Sequence, residues 1–425
     1  MLLTQPTDAT RFRPLADVKS ALALTPRLTT TATDVALTVH DDLGAVAEEW
    51  RTFEHEAGCT AFQACAWHEA WQTHIGDPSG VRPAIVVGRR QGRLLFIMPF
   101  AVESGRFVRR LVWHASDLCD YNTPLIARDF AREVDGPQFP PLFAAVCREI
   151  AARPGLAFDA VDLTKMPETV GDQPNPFMAL ATTLNPSGAH STRLAATWDD
   201  FYTAKRSSAT RRRDRTKRKR LGDLGEVRFV TAETDEDIAR TLNVLIAQKS
   251  PAFNKMGVPD LFAKPGHRAF FHAVASDPSA RDLIHVSRLD VGPIPAAANL
   301  GLVLGGAYYH MLASYDAGPV SRFGPGAAHL QDLMAYAIDR GCHTFDFTIG
   351  DERYKREWSD RALLLHDHRC AATLKGSVAT LPTAAVARVK RVLKQTPFLW
   401  RAVRSGRAMV AALRRRGSAA EGDEA

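Results

Sequence analysis

The chain has 425 residues, of which 45% are hydrophobic and 24% charged, a composition that fits a globular protein and excludes a disordered or fibrous one. Its net charge is +7, and no apolar run approaches the ~20 residues that a membrane-spanning helix needs. The six cysteines show neither a CxxC pair nor the spacing of zinc ligands. We therefore expect free thiols, a cytoplasmic protein and no metal site.

The first module is predicted from the pattern at residues 35–165. Residues 1–34 are rich in Thr, Ala and Pro and lack the apolar core of a signal peptide, so we expect a flexible leader. Helical and alternating patterns then follow one another. They predict a strand at 35–39, helices around 43–57 and through Trp67 and Trp71, a hairpin of strands at 84–88 and 94–102, a helix at 143–152 and a strand at 157–163.

A second module is predicted at 197–375, after a linker at 166–196 that is crowded with Pro, Gly and Asn. It repeats the order of the first. The predicted elements are a strand at 227–232, helices at 235–249 and 267–276, strands at 283–289, 297–304 and 307–315, a further helix, and a strand at 343–349. The fold class is therefore α/β (α+β), with two modules that each hold a mixed β-sheet flanked by helices.

Two segments hold the positive charge. Residues 205–220 carry a net +9 and residues 382–416 carry ten basic residues without an acid, which leaves a net −12 on the rest of the chain. The first lies in a helical pattern at 207–224, which suits a solvated or bridging helix, contact with an anionic glycan or nucleotide, or nonspecific RNA contact. The tail at 376–425 is basic and amphipathic. It suits attachment to an anionic membrane face or packing on the acidic body.

The most informative pattern runs from Arg322 to Trp358. A glycine turn precedes a helix whose apolar residues recur at helical spacing and which ends at Gly341. Such a turn exposes backbone N–H groups and the positive end of the helix dipole, which suits a phosphate group. A short strand and a polar segment follow. The turn is Phe323-Gly324-Pro325-Gly326-Ala327, and the segment is Gly350-Asp351-Glu352-Arg353-Tyr354-Lys355-Arg356-Glu357-Trp358.

This order of parts resembles the GNAT superfamily of acyltransferases, and specifically its CelD-type branch, which is associated with cellulose biosynthesis. That branch pairs a Pro-Gly turn and helix with a Phe-Asp-Phe strand and a Gly-Asp-x-x-Tyr-Lys-x-x-Trp ending. The matching residues are Pro325-Gly326, Phe345-Asp346-Phe347 and Gly350–Trp358. The resemblance covers roughly residues 35–375 and implies two tandem GNAT-like modules in a FemAB-like arrangement, with acetyl-CoA or another acyl-CoA as co-substrate.

The resemblance also implies where the donor and the acceptor bind. The donor pyrophosphate would lie on the glycine turn, with Arg322 in place of the Gln or Arg that usually precedes Gly-x-Gly. The cofactor-binding residues are then Arg322, Phe323, Gly324, Pro325, Gly326 and Ala327. The strand at 307–315 would hold the thioester. Strict alternation places Tyr308, His310, Leu312 and Ser314 on one face of it, and Tyr309, Met311, Ala313 and Tyr315 on the other.

Candidate substrate-binding residues are Tyr308, Tyr315, Asp346 and Trp358. Asp346 is either a structural ion-pair partner or part of the site. Trp358 suits a packing lid over the site better than a reactive group.

Direct transfer to an amine or hydroxyl requires a group that accepts a proton. His310 fits by its ordinary pKa of about 6.5, although a histidine hydrogen-bonded within the sheet fits the pattern equally well. Asp316 and Asp351 are alternative bases, and Asp316 also suits a turn. The resemblance implies that Tyr354 protonates the departing thiolate. Lys355 suits a charge partner for phosphate or for Asp351.

Three functions are compatible with this sequence. The first is an N- or O-acyltransferase, such as an acetyltransferase, that acts by direct transfer on a saccharide or an envelope precursor. The second is a FemAB-like transferase that takes an aminoacyl group from tRNA, which requires RNA contact by the basic helix. The third is a non-catalytic scaffold for polysaccharide synthesis at the membrane face. No Cys-His or Gly-x-Ser-x-Gly pattern supports a covalent mechanism.

Overall fold

The computed structural model describes residues 34–378. Residues 1–33 of the predicted leader at 1–34 and the basic segment at 382–416 lie outside the described residues, so the structure does not address the membrane prediction for the tail. Among the helices of the described part, none has both the length and the apolar character needed to cross a bilayer.

The strands occur in two groups that follow the predicted modules. They are β1 Ala36–His40, β2 Arg82–Arg90, β3 Arg93–Ser104, β4 Arg109–Trp113, β5 Leu125–Ile126, β6 Ala160–Pro167, β7 Thr169–Val170, β8 Gln173–Pro174, β9 Thr183–Leu184, β10 Ala189–Arg193, β11 Val227–Thr231, β12 Ile284–Val291, β13 Ile294–Leu304, β14 Ala307–Tyr315, β15 Thr344–Ile349, β16 Arg361–Leu363 and β17 Leu365–Ala371.

The helices pack on both sheets. They are α1 Ala47–Glu54, α2 Cys65–Trp71, α3 Phe130–Glu133, α4 Phe139–Ala152, α5 Trp198–Lys205, α6 Ser208–Gly222, α7 Asp235–Met256, α8 His267–Ser276, α9 Pro325–Asp339 and α10 Arg353–Trp358. Local signals explain the ends of the longest ones. The side chain of Thr234 caps α7 by accepting from the N–H of Asp237, and α7 ends at Gly257, whose φ of 66° is left-handed.

The two sheets have the same topology. Their strand orders are β1-β2-β3-β4-β6-β17-β9 and β11-β12-β13-β14-β15-β10-β16. Neighbouring strands along each path are antiparallel except at one place, where β4 pairs with β6 and β14 pairs with β15 in parallel. The prediction of two tandem modules, each a mixed sheet flanked by helices, is confirmed.

Each sheet receives one strand from the other half of the chain. β10 lies in the predicted linker but pairs with β15 and β16 of the second sheet, and β17 lies in the predicted second module but pairs with β6 and β9 of the first. The topology thus departs from the predicted boundaries at 166–196 and 197–375 for these two strands. Both are rich in polar residues, and their pairing is with distant segments, so no local hydrophobic pattern marks them.

A shared hydrophobic core joins the modules. Trp67 of α2, in the first module, is fully buried in one cluster with Phe270 and Phe271 of α8 and with Leu300 and Tyr309 of the second sheet. The Trp67 and Phe270 rings meet edge to face at 4.8 Å. Because this core and the exchanged strands both cross between the modules, neither half buries its apolar surface alone.

We expect the full-length protein to unfold in a single calorimetric transition. Trp67→Ala should lower the free energy of unfolding by about 3–5 kcal/mol, as for other buried tryptophans. Trp50→Ala is the matched variant, because Trp50 is equally buried but lies in a cluster confined to the first module. Two resolved transitions, with Trp50→Ala shifting only one of them, would contradict the shared core.

Candidate active site

The centre of the second sheet contains a fork between two strands. β14 and β15 are paired in parallel over three residue pairs, the last of which joins Tyr309 to Asp346. Both strands continue past this pair without further pairing to each other. The hydroxyl of Thr348 donates to the carbonyl of His310 at 3.4 Å just beyond it. A gap between neighbouring strands offers backbone groups to an extended ligand.

A β-bulge lies in β14 at this fork. The register of β14 against β13 shifts by one residue between Tyr309 and Leu312. The predicted strict alternation is therefore wrong beyond His310. Leu312 lies in the same apolar cluster as Tyr309, and the hydroxyl of Ser314 donates to Gln248 of α7 at 2.9 Å.

The glycine turn leads into α9 beside the end of β14. A short 3-10 helix, Pro319–Phe323, is followed by Gly324, whose φ of 68° requires a residue without a Cβ, and Pro325 opens the helix. Gly326 lies against the ring of Tyr315, since a Cβ at this position would be 3.3 Å from Tyr315 Cδ1. The N-terminus of α9 is thereby held next to the end of β14.

Basic side chains surround this turn. The ammonium group of Lys217, on the basic helix α6, lies 3.8 Å from the position that a Cβ on Gly324 would occupy. The guanidinium of Arg322 lies 4.7 Å from the ring centre of Phe323. α6 is fixed against α9 by the ion pair of Arg218 with Asp332, at 2.8 Å. The turn, the helix dipole and α6 together make a positive surface that fits an anion.

His310 lies buried at the fork between aromatic rings and cations. Its ring centre is 5.9 Å from that of Phe345 and 6.3 Å from that of Tyr354, and its Nδ1 has no hydrogen-bond partner among the described residues. Burial lowers the pKa of His310 well below its ordinary value, and Lys355 and Lys249 lower it further. The imidazole is therefore neutral near pH 7 and is a weak proton acceptor.

Two ammonium groups bind carbonyl oxygens along the forked strands. Nζ of Lys355 donates to the carbonyl of Ile349 at 2.6 Å and lies 3.3 Å from a carboxylate oxygen of Glu352. Nζ of Lys249 donates to the carbonyl of Ala313 at 2.8 Å. Burial lowers the pKa of Lys249. Lys355 thus has Glu352 as a charge partner within the protein, where the sequence suggested a phosphate or Asp351.

Asp346 stands at the last paired position of the fork. Its Oδ1 accepts a hydrogen bond from the hydroxyl of Tyr121, in the first module, at 2.7 Å, and another from the N–H of Thr348 at 2.7 Å. Burial raises the pKa of Asp346 to about 7, against the opposing effect of these two bonds. This carboxyl group therefore changes its protonation near neutral pH.

The other predicted residues are placed differently. Asp316 forms a turn, because its Oδ2 accepts from the N–H of Gly318 at 2.9 Å, and Asp351 is exposed. Tyr354 is half-buried, and burial raises its pKa, so the phenol keeps its proton at neutral pH. Ala327, in the first turn of α9, is exposed.

Tyr308 and Trp358 lie in one apolar cluster of the core. The hydroxyl of Tyr308 is 2.8 Å from His285 Nδ1 and from the side-chain amide of Asn299. Trp358 stacks on Phe201 at 6.1 Å between ring centres. Both are almost fully buried, which makes them packing residues in this structure.

Sequence reasoning missed Tyr121, Lys217 and Lys249 as members of the site. Tyr121 comes from a loop more than 200 residues from Asp346, and no local pattern marks such a contact. Lys217 was recognised only as part of a charged helix. The structural signal that identifies it is its position beside the glycine turn.

An open groove of about 1060 Å³ lies elsewhere, on the first module. Its lining comes from α1 and the end of the hairpin, and includes Glu48, Thr52, Arg93 and Asp129. None of its lining residues belongs to the second sheet. We place the candidate active site at the fork, because the titratable groups with displaced pKa values and the glycine turn with its basic side chains meet there. Among residues 34–378, no cluster of His, Cys, Asp and Glu side chains suits a metal ion.

Comparison with known proteins found one matching family model and several similar structures. Residues 208–356 match the family model described as an acetyltransferase (GNAT) domain. The crystal structure of FemX is similar, with a TM-score of 0.56 and 10% identity over 81% of this chain and 99% of that one. L-PGS from Bacillus licheniformis has a TM-score of 0.45, with 10% identity over 80% and 95% of the two chains. A tandem GNAT protein from the clavulanic acid biosynthesis pathway has a TM-score of 0.40, with 9% identity over 80% and 98%.

A search of curated proteins gave no match. The match over residues 208–356 indicates an acyltransferase. More particularly, the second module carries a GNAT acetyltransferase domain, and it contains α6 to α9, β11 to β15 and most of α10. The identity to FemX is low, so that similarity speaks for the two-module fold alone.

We expect Asp346→Asn to change how stability depends on pH. The folded-state pKa of about 7 lies above the ordinary value of 3.8, so the carboxyl contributes stability below pH 4 that is lost as the pH rises through 7. Asparagine cannot ionise. The unfolding midpoint of Asp346→Asn, relative to wild type, should therefore rise between pH 4 and pH 8. At about 1.4 kcal/mol per pKa unit, this difference amounts to a few kcal/mol at most.

Thermal unfolding across this pH range measures the effect. Asp162→Asn is the matched variant, because it removes the ion pairs of Asp162 with Arg369 and Arg110 and should lower the midpoint at neutral pH. A relative midpoint of Asp346→Asn that stays flat from pH 4 to pH 8 would show that Asp346 has an ordinary pKa.

Proposed function

We propose that the protein is an acyl-CoA-dependent N- or O-acyltransferase that transfers an acyl group, acetyl in the simplest case, directly to an amine or hydroxyl of a saccharide or cell-envelope precursor. The observation that carries this proposal is the meeting of the fork, the N-terminus of α9 and Lys217 at one end of the second sheet. The CelD-type resemblance favours an acceptor from the biosynthesis of an exopolysaccharide such as cellulose.

The donor would be held by its phosphates and its pantetheine arm. The pyrophosphate would lie at the start of α9, where the dipole, Lys217 and Arg322 favour negative charge. The pantetheine amides would extend into the fork and bond to backbone groups of β14 beyond Tyr309, where β14 no longer pairs with β15. This arrangement places the thioester near the bulge at His310.

The reaction then needs no covalent enzyme intermediate. The acceptor nitrogen or oxygen attacks the thioester carbonyl, the C–S bond breaks, and the acceptor's proton is released as the thiolate takes one up. Tyr354 is half-buried and protonated, which fits the donor of the proton to the thiolate. The free Nδ1 of neutral His310 fits a hydrogen-bonding role toward the substrate better than that of a base.

A second candidate is aminoacyl transfer from tRNA. The basic helix α6 favours it, because most of its Lys and Arg side chains are exposed and Lys217 reaches the same glycine turn. The non-catalytic scaffold is less well supported, because titratable residues with displaced pKa values are typical of catalytic sites, and the fork contains several of them.

The predicted location is the cytoplasm. We propose the basic tail as a contact to the inner face of the membrane.

We expect Gly326→Glu to lower the affinity for acetyl-CoA at least tenfold, because a carboxylate at the start of α9 repels the pyrophosphate. Isothermal titration calorimetry with acetyl-CoA and free CoA measures it. Gly326→Ala adds only the Cβ, which meets Tyr315 at 3.3 Å, and should bind nearly as wild type. Gly136→Glu adds the same charge on open surface of the first module and should bind normally.

Two outcomes would contradict the donor site. If Gly326→Glu binds acetyl-CoA like wild type, the pyrophosphate lies elsewhere. The second outcome is that wild type gives no heat with acetyl-CoA or CoA but retains aminoacyl-tRNA in a filter-binding assay. If the variant with both Lys217 and Arg213 changed to Glu loses this retention, the tRNA-dependent function replaces the acyl-CoA proposal.

A further inference from the structure

Two strands at equivalent places in the sheets carry related sequences. β6 begins Ala-Val-Asp-Leu-Thr and β15 begins Thr-Phe-Asp-Phe-Thr. In each case the first residue pairs with the parallel neighbour, so Asp162 and Asp346, third in each strand, are equivalent. Each also lies opposite the exchanged strand, Asp162 facing Arg369 and Asp346 facing Ser191. The repeat supplies an internal comparison for the carboxyl group at the fork.

The two carboxyl groups have opposite surroundings. Asp162 is partly exposed and ion-paired, with Arg369 at 2.7 Å and Arg110 at 3.4 Å. Asp346 is only 6% exposed, and neutral residues, Ser191 and Ala307, occupy the places of those arginines. A carboxylate kept in a buried place without its cation is costly. Structural pairing therefore explains Asp162 and does not explain Asp346.

The partner that replaces the cations comes from the first module. Tyr121 lies in the loop after β4, and its hydroxyl donates to Asp346. Lys165 at the end of β6 holds this loop by donating to the carbonyls of Ser116 and Cys119, and the loop also bonds to β6 through Asn122, whose side chain donates to the carbonyl of Thr164 at 2.9 Å. The end of β6 in the first module thus positions the phenol for the fork of the second.

We propose that Asp346 is the group that takes the acceptor's proton during acyl transfer, and that Tyr121 of the first module holds its carboxylate in place. This proposal rests on the proposed function. As the acceptor N–H or O–H attacks, its proton moves to the Asp346 carboxylate, the C–S bond breaks, and the thiolate takes a proton from Tyr354, which regains one from Asp346 through solvent. Acceptor–H and acyl-CoA thus become acylated acceptor and CoA thiol.

The charged groups that face Asp346 set the pH range. Tyr121 and the Thr348 N–H favour the carboxylate, and so does the more distant Lys355. Asp120, on the loop with Tyr121, disfavours it, as burial does. With a pKa of about 7, the carboxyl is sufficiently basic to take a proton and loses it again near neutral pH. The rate should therefore fall on the acid side of about pH 7.

Steady-state kinetics on the full-length protein test the proposal, with acetyl-CoA as donor, glucosamine as acceptor probe and CoA thiol release as readout. Asp346→Asn should lower kcat by about 100-fold or more, remove the acid limb of the pH profile and leave the KM for acetyl-CoA little changed. Tyr121→Phe should keep measurable activity and shift the acid limb to higher pH, because the carboxylate loses a hydrogen bond. A residue with a purely structural role would not shift this limb.

Asp162→Asn is the matched control, since it makes the same change at the equivalent position of the first sheet. It should keep the wild-type pH profile. An Asp346→Asn variant with wild-type kcat, or a Tyr121→Phe variant with an unshifted limb, would overturn the proposal.

Infrared difference spectroscopy separates this proposal from the donor assignment. A protonated carboxyl band should disappear as the pH rises through about 7 in wild type and in Asp162→Asn, and should be missing in Asp346→Asn. Absence of such a band in wild type overturns the proposal. If the band is present but acetyl-CoA gives no heat in calorimetry, the acyl-CoA assignment fails while the ionisation assigned to Asp346 is supported.

Discussion

The parallel pairing of β14 with β15 is the constraint that positions every part of the candidate site. Two adjacent parallel strands require a crossover, and α9 supplies it, so the N-terminus of this helix must lie near the end of β14. The strands separate after three residue pairs, and the bulge at His310 turns the remainder of β14 away. The gap, the helix dipole and the aspartate at the vertex are consequences of one topological feature.

The first module shows that this feature alone does not make a site. Its sheet has the same strand order and the same parallel pair, yet α4 begins with Phe139 and two prolines where α9 begins after a glycine turn. Lys165 binds the loop that leaves β4 at the corresponding end of the sheet. The equivalent aspartate is neutralised by two arginines. The first module retains the fold and supplies a side chain, Tyr121, to the second.

Much of this architecture follows from local sequence patterns. The stripe of Leu330, Leu333 and Met334 predicts α9, because burial of one helix face imposes a helical period. Short strand-like runs predict β12 to β14. The sequence also predicts the glycine turn before α9, and in the structure Gly324 has a positive φ that favours glycine. These are features in which a segment's own residues determine its conformation.

What the sequence could not predict depends on contacts between distant segments. β10 and β17 exchange between the sheets, and their polar residues become buried only because of strands that lie elsewhere in the chain. The bulge that moves Leu312 to the other face is a matter of register against β13, which alternation cannot reveal. In the same way, His310 was a plausible base by its ordinary pKa, and only burial beside two ammonium groups makes it neutral.

That shift of His310 bears on how protons are distributed at the fork. Burial disfavours the charged form of His310, Tyr354 and Asp346 alike. It therefore lowers the pKa of the histidine and raises the pKa of the tyrosine and of the aspartate. The histidine loses its proton and the tyrosine keeps its own, so both have a fixed state at neutral pH. The same effect raises the pKa of Asp346 from its low ordinary value to the neutral range. A single desolvated environment therefore makes His310 a weak proton acceptor. It also turns Asp346, which the sequence left as either a structural ion-pair partner or part of the site, into the group best matched to accept a proton.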